Sequence, residues 1–444
     1  MKPSARGGGG GNWAFMVRAL RYPNYRLFFG GQIVSLIGTW MTTTATSWLV
    51  YRLTGSAAML GLVGFAGQVP SVLLTPVAGI YVDRWDRHKL LMTTQTLSML
   101  QSFALAALVF TGRMTMPALI TLCVTQGLIN AFDMPCRQSF VISLIENRED
   151  LGNAIALNSS MFNLARILGP AAAGVVIAAA GEGWCFMADA LSFLAVLLAL
   201  AAMTVKADAP RAGRGAGARG AFKEGWRYVS GSVPIRTILL LLGAVGLLGV
   251  PYMVLIPIFA GKVLGGGPHT LGLLMTCSGA GALSAGLWLA SLRSIARLGR
   301  AMLASTAAFG LSLAAFGFCR IPWLSCVFVT GAGFGFMLLM ASSNTIIQTI
   351  VDEDKRGRVM SFLMIALLGT APLGSLIVGA IADRIGAPAT VVLQGVCCLA
   401  IALWFSGKLD EFHAAVHPIY ARMGLMPEAA LAGDSAAEFR TIDR

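Results

Sequence analysis

Side chains able to do chemistry are sparse in this sequence, and they fall in a few places. The densest group is Gly79-Ile-Tyr-Val-Asp83-Arg84-Trp-Asp-Arg87-His-Lys89, where a glycine lies one helical turn before an aspartate and a knot of cations follows. Three more ionisable residues, Asp133, Arg166 and Asp189, fall in or beside long apolar runs. A charge inside hydrocarbon is costly and is functional by default. Arg166 is placed near the middle of its run, whereas Asp133 and Asp189 are expected near an aqueous interface, where water lowers their cost. The eight cysteines have no zinc or redox spacing, and most sit within apolar runs, where Cys behaves as a small hydrophobe. The four histidines, His88, His269, His413 and His417, are scattered through loops and tail. No nucleophile–base pair, metal-ligand cluster or Gly-x-x-x-x-Gly-Lys-Ser/Thr loop is present in the sequence. The expectation is therefore a protein that is not an enzyme, holds no metal or cofactor, and does not use ATP directly.

The elements that carry these residues follow from composition. The 444 residues are 56% hydrophobic and 12% charged, against about 25% charged in soluble domains. So few charges cannot cover a water-exposed surface of this size, so lipid must be the main solvent. The net charge of +13 gathers in short loops rather than on a basic face, which argues against nucleic acid as a partner. Spanning the hydrocarbon core takes about 20 apolar residues as a helix. Twelve segments qualify: 27–52, 57–81, 90–111, 116–136, 153–180, 184–204, 235–260, 269–291, 299–319, 322–349, 359–382 and 387–407. None alternates as a barrel strand would, so helices are expected throughout. The first run is too long for a cleavable signal and is expected to remain as a membrane helix.

Orientation follows from the cations. With the N-terminus in the cytoplasm, the outer loops hold Arg52, Arg113, Lys262, Arg320 and Arg384; Arg166 falls inside a helix, and the rest of the 33 Lys and Arg lie on the inner side. The expected layout is a cytoplasmic tail and surface helix at 1–26, a six-helix bundle at 27–204, a cytoplasmic linker at 205–234, a second six-helix bundle at 235–407 and a cytoplasmic tail at 408–444. The linker turns amphipathic at Ala221 to Val229. The halves echo one another: Ile145, Gly152, Gly169 and Gly174 correspond to Ile350, Gly357, Gly374 and Gly379. Two pseudo-equivalent bundles are a common transporter layout.

In this order and spacing the motifs resemble the major facilitator superfamily, in particular its drug-efflux, enterobactin-exporter-like branch. The resemblance runs from about Tyr22 to Phe405. It is carried by the Gly79–Lys89 loop, by Gly31-Gln32-Ile-Val-Ser35 through Ser56, by Asp133-Met-Pro135-Cys-Arg137-Gln138, by Ala154 to Gly174, and by Arg356-Gly357-Arg358-Val359-Met360-Ser361. It implies an all-α membrane fold of twelve transmembrane helices in two pseudo-symmetric six-helix bundles. It also implies a gate formed by Gly79, Asp83, Arg84, Arg87 and Lys89 with Arg356 and Arg358. Gly79 would allow close helix approach, and Asp83 would meet the N-terminal end of the eleventh segment, starting near Arg358, since helix N-termini attract anions. The bland alternative is a surface ion cluster worth about 0–1 kcal/mol per pair. After the eighth segment the corresponding loop has Ala290 where the acid would stand.

The run Arg166-Ile-Leu-Gly169-Pro170-Ala-Ala-Ala-Gly174 resembles an antiporter motif. In it Pro170 bends the helix and Gly169 and Gly174 permit tight crossing. The sequence departs from the family at Cys123, where relatives carry Arg, and at Thr39, where they often carry Asp. The cavity expected between the halves nominates Gln32, Gln126, Asn130, Tyr252, Phe334, Phe336, Met337, Met340 and Asn344. Methionines and aromatics suit an adaptable apolar site. The resemblance implies a monomeric secondary transporter in the cell (inner) membrane, multi-pass with both termini cytoplasmic. It would export small lipophilic, drug-like or siderophore-like molecules by alternating access, with protons as coupling ion and lipid as its surroundings. An importer or metabolite exchanger of the same fold, or a receptor or scaffold without turnover, are the alternatives.

Overall fold

The computed structural model describes residues 17–82, 84–204, 218–291 and 298–422. After a 3-10 turn at Arg18–Arg21 come α1 (Pro23–Thr54), α2 (Ala57–Val82), α3 (Arg87–Phe110), α4 (Met116–Ser143), α5 (Arg148–Ala180) and α6 (Glu182–Ala202). There follow α7 (Ala218–Gly231), α8 (Val233–Leu248), α9 (Tyr252–Ile258) running into a π-helical turn at Phe259–Val263, α10 (Pro268–Ser291), α11 (Leu298–Phe318) and α12 (Pro322–Ile350). The chain closes with α13 (Glu353–Leu368), α14 (Thr370–Ile385), α15 (Ala387–Ser406) and α16 (Leu409–Arg422). No strand occurs among the described residues.

Eleven helical runs are long and apolar enough to cross a membrane among the described residues. Val233–Val263 and Glu353–Ile385 each count as one run. The remaining one of the twelve expected segments is α1. Its 32 residues suffice in length, but the stretch from Thr39 to Ser47 is rich in threonine and less apolar.

Local chemistry sets the helix ends. Asp86 caps α3 by accepting from the His88 and Lys89 N–H groups at 3.0 and 3.2 Å, Thr115 caps α4, and Asn147 caps α5, each satisfying amides with no intrahelical partner. Gly55 ends α1 in the left-handed region at φ +62°, a conformation that favours glycine.

Several boundaries differ from the sequence expectation. The segment expected at 235–260 is interrupted at Gly249-Val250-Pro251, because a proline amide cannot donate and Pro251 ends the regular ladder. The eleventh segment begins at Glu353 rather than near 359. The surface helix expected up to residue 26 is instead a 3-10 turn followed by α1 from Pro23, and the C-terminal tail carries α16.

The contacts divide the chain into two compact units: residues 1–214 with 265–276, and residues 215–264 with 277–444. In the first, Tyr25, Phe28, Leu91, Phe140 and Leu200 form a buried cluster. In the second, Phe309 is a hub, with Tyr252 edge-on at 6.0 Å and Phe336 at 5.9 Å between ring centroids. The internal echo has a packing counterpart in each unit. A Cβ at Gly169 of α5 would strike Trp40 of α1, and one at Gly374 of α14 would strike the Leu247 carbonyl of α8.

Candidate functional site

The charged stretch at residues 79–89 joins α2 to α3. Asp83 lies outside the described residues. The acid with a visible structural task is Asp86, the α3 cap. Arg84 and Lys89 are exposed, and Arg87 begins α3. His88 Nε2 lies 2.9 Å from the Leu200 carbonyl and ties α3 to the end of α6; the sequence reading left this histidine without a role. A Cβ at Gly79 would meet nothing within 4 Å among the described residues.

The expected partner region also differs from the sequence reading. Because α13 starts at Glu353, its N-terminal turn is occupied by its own acids, Glu353 and Asp354, so Arg356 and Arg358 lie past the anion-attracting end. Arg358 is held by Glu224 of α7 at 2.8 Å. The Tyr228 hydroxyl donates to Asp352 at 3.3 Å, Lys355 Nζ stands 4.8 Å over the Tyr228 ring, and Trp226 packs on Phe362 at 6.0 Å. Burial pushes the Tyr228 phenol above its ordinary value. The linker helix α7 thus lies along the start of α13. In the first unit the Arg18–Arg21 turn fastens onto α5: Asp150 pairs with Arg18 at 2.7 Å and Arg21 at 2.5 Å, and accepts from the Tyr22 hydroxyl at 2.8 Å.

Asp133 and Asp189 are both buried within the protein, at 1% and 2% exposed. Neighbouring helices cover both. Asp133 accepts from Thr94 at 2.8 Å and Gln95 at 2.7 Å on α3, and pairs with Arg137 one turn on. Asp189 accepts through Oδ2 from Thr42 of α1 at 2.8 Å and Ser102 of α3 at 2.9 Å. Arg166 is half-buried on α5. On α4, Gln126 donates to Ser98 at 3.2 Å and Asn130 at 3.1 Å. Gln32 is buried on α1, and Cys123 faces Gly67 of α2.

The Gly-Pro run of α5 lies in two tight crossings within the first unit. Gly169 presses on α1, as above. Gly174 meets Gly272 of α10: a Cβ at Gly272 would be 2.5 Å from the Pro170 carbonyl oxygen and 2.8 Å from Gly174 Cα. Thr276 Oγ1 donates to the Ile167 carbonyl at 3.2 Å. A carbonyl accepting from a side chain is a common companion of intramembrane proline.

The second unit holds a cavity of about 170 Å³ lined by Leu242, Met337, Met340, Ala341, Asn344, Leu363, Met364 and Leu367. Of the residues nominated from sequence, Met337, Met340 and Asn344 line it. The others on this side pack elsewhere. Tyr252 is buried with its hydroxyl 3.1 Å from Ser278 Oγ, Phe336 packs on Phe309, and Phe334 packs edge-on against Trp288 at 6.2 Å. Periodicity identifies these aromatics as helix-facing but cannot say which neighbour they face. Met364, one turn before Leu368 on α13, was missed because the eleventh segment was not counted among the lining helices.

Comparison with known proteins accords with this arrangement. The family described as transmembrane secretion effector matches residues 15–432. The staphyloferrin A transporter of Staphylococcus aureus is 27% identical over 383 residues, covering 86% of this chain and 95% of its own. The multidrug efflux pump Tap of Mycolicibacterium fortuitum is 27% identical over 393 residues, with the same coverages of 86% and 95%. Among solved structures, the nucleoside transporter NupG superposes with a TM-score of 0.67 at 15% identity, over 86% of this chain and 98% of that one, a likeness of fold. A bacterial homologue of the iron transporter ferroportin, in an inward-facing state, also gives 0.67 at 15% identity, over 88% and 98%. These relatives are membrane transporters, not enzymes. The chain belongs to the transmembrane secretion effector family of the major facilitator superfamily and is a multi-pass membrane transporter.

Proposed function

We propose that this transporter exports small lipophilic or aromatic molecules by alternating access, with protons moving the opposite way, from the cell (inner) membrane and with both termini in the cytoplasm. The cavity of the second unit carries the reading. Its lining is Leu, Met and Ala with the single amide of Asn344, so it offers dispersion contacts and one orienting polar group. A cavity of about 170 Å³ is the size of one that accepts a benzene ring, so it fits a ring-sized part of a cargo rather than all of it. Among the described residues no charged side chain lines it; an anionic, siderophore-like cargo would have to find its cations elsewhere. The efflux named for Tap supports export, and the name of the staphyloferrin A transporter keeps siderophore-like cargo within the family's range.

Gating belongs to Gly79, Asp83, Arg84, Arg87 and Lys89 with Arg356 and Arg358. The Glu224–Arg358 pair and the α7 helix give the second-unit side of that gate a ready restraint. Counterflow of a fluorescent lipophilic dye in proteoliposomes, with and without a pH gradient, tests the function. Met340→Trp, which fills the cavity, is expected to depress dye counterflow at least severalfold with the folded yield unchanged. Wild-type flux in the variant would remove the cavity from the cargo path, and absence of flux in the wild type under every gradient would leave a non-transporting receptor.

A further inference from the structure

We propose that Asp189 is the carboxyl that takes up and releases the coupling proton, through its Oδ1 edge. This rests on the proton-exchange reading above and names its residue. The described residues contain four buried acids, Asp133, Asp150, Glu182 and Asp189. Three have a cation. Asp133 has Arg137, Asp150 has Arg18 and Arg21, and Glu182 has Arg52 at 2.8 Å. Asp189 has only hydroxyls, and both that donate to it, from Thr42 and Ser102, donate to Oδ2. Oδ1 is buried and accepts no hydrogen bond among the described residues. The nearby hydroxyls of Thr39 and Ser192 are engaged elsewhere: Thr39 donates to the Ser35 carbonyl at 3.0 Å and Ser192 to the Asp189 carbonyl at 2.7 Å, and a hydroxyl has one proton to give.

Ionisable groups are few on the surrounding helices. Between residues 27 and 50 α1 has no ionisable side chain, and α3 has none between 90 and 110. Across 151–180, α5 brings Arg166 alone. On α6 itself the other ionisable groups are Cys185, one turn away, and Glu182, which is paired with Arg52. A buried carboxyl with one empty edge and hydroxyls around it has the parts of an intramembrane proton site.

Space selects a proton over a metal ion. A Cβ at Gly38 of α1 would lie 2.5 Å from Ser192 Oγ and 2.8 Å from Asp189 Oδ1, so α1 closes directly on the acid. A bound cation needs a void and oxygen lone pairs turned into it, whereas here the hydroxyl protons point at the carboxylate and at carbonyls. A proton arriving on Oδ1 neutralises the carboxylate and turns that edge from an acceptor into a donor; its departure reverses both changes. Since α1 also seats Gly169 of α5 through Trp40, a change at the α1–α6 contact reaches the Gly-Pro helix in one step.

The test uses the full chain in proteoliposomes. Wild type should concentrate dye when a proton gradient is imposed; D189N should lose that while retaining dye counterflow at equal pH. Infrared difference spectra of the purified protein between acid and alkaline pH should show a protonated-carboxyl band that D189N lacks, a readout independent of transport. If D189N does not fold, T42V combined with S102A, which keeps the acid and removes its donors, should displace the pH midpoint of that band; an unmoved midpoint overturns the proposal. Driven accumulation surviving in D189N, or the band persisting there, overturns the assignment while leaving proton exchange intact. A sodium gradient at equal pH that drives wild type but not D189N overturns the proton as occupant. A wild type that runs counterflow yet ignores pH overturns proton exchange itself, and this proposal with it.

Discussion

The crossing of α5 and α10 yields the sharpest quantitative prediction. A Cβ on Gly272 would stand 2.5 Å from the Pro170 carbonyl oxygen and 2.8 Å from Gly174 Cα, both main-chain atoms that cannot rotate away. Non-bonded contacts are optimal near 3.5–4.0 Å, so Gly272→Ala must push the helices apart by roughly 1 Å. Overpacking of this kind costs about 1–3 kcal/mol. The helix preference of Ala over Gly returns up to about 1 kcal/mol. The net is roughly 1–2 kcal/mol against the packed crossing, a factor of about 5–30. The reverse substitution, Gly174→Ala, meets Pro268 O at 3.0 Å and Gly272 Cα at 3.1 Å, so a shift of a few tenths of an ångström relieves it and propensity nearly cancels the strain. Thermal unfolding of the purified protein, with dye counterflow in parallel, should rank wild type and Gly174→Ala together and Gly272→Ala well below. Equal stability of Gly272→Ala and wild type, or a larger loss in Gly174→Ala, refutes the reasoning. Gly79→Ala is the control: with open space at Gly79, its steric effect on stability should stay within about 0.5 kcal/mol.

Arg137→Ala should destabilise the first unit by about 3–5 kcal/mol, since it leaves Asp133 buried without its cation, and Asp133→Asn in the same chain should recover most of that loss; thermal unfolding of the three variants checks it. His413 is held below its ordinary value of 6.5, mainly by burial, and its ring lies against Gly299 of α11. For a base whose folded value is depressed, the unfolded form binds the proton first. The stability this contributes is therefore present above pH 6.5 and is lost as pH falls through the lower folded value. Hydrogen exchange in α16 should accelerate over that window in wild type and change less in His413→Gln; an α16 indifferent to acid in wild type would contradict it.

Part of the site was legible in the chain. Gly169, Pro170 and Gly174 stand out because glycine repeats at helical spacing in an apolar run have few uses besides close packing, and they do sit at two crossings. Met337, Met340 and Asn344 share one face of a helix, and that face lines a cavity. The Asp133–Arg137 pair was visible as an i,i+4 spacing and was overlooked because Asp133 was expected near an aqueous interface, where it needs no partner.

What the sequence determined by itself was the solvent and therefore the architecture. A chain with 12% charged residues in long apolar runs must satisfy its backbone within helices that cross lipid, and no tertiary knowledge is needed to say so. What only the tertiary structure decided was the partner of each polar group. Asp133 and Asp189 look alike in sequence; one meets a guanidinium and the other meets two hydroxyls and an empty edge. Gly79 and Gly272 are both glycines in membrane helices, but only Gly272 touches another backbone. Helical periodicity places a side chain on a face, while the identity of the helix opposite that face is set by packing among segments far apart in the chain.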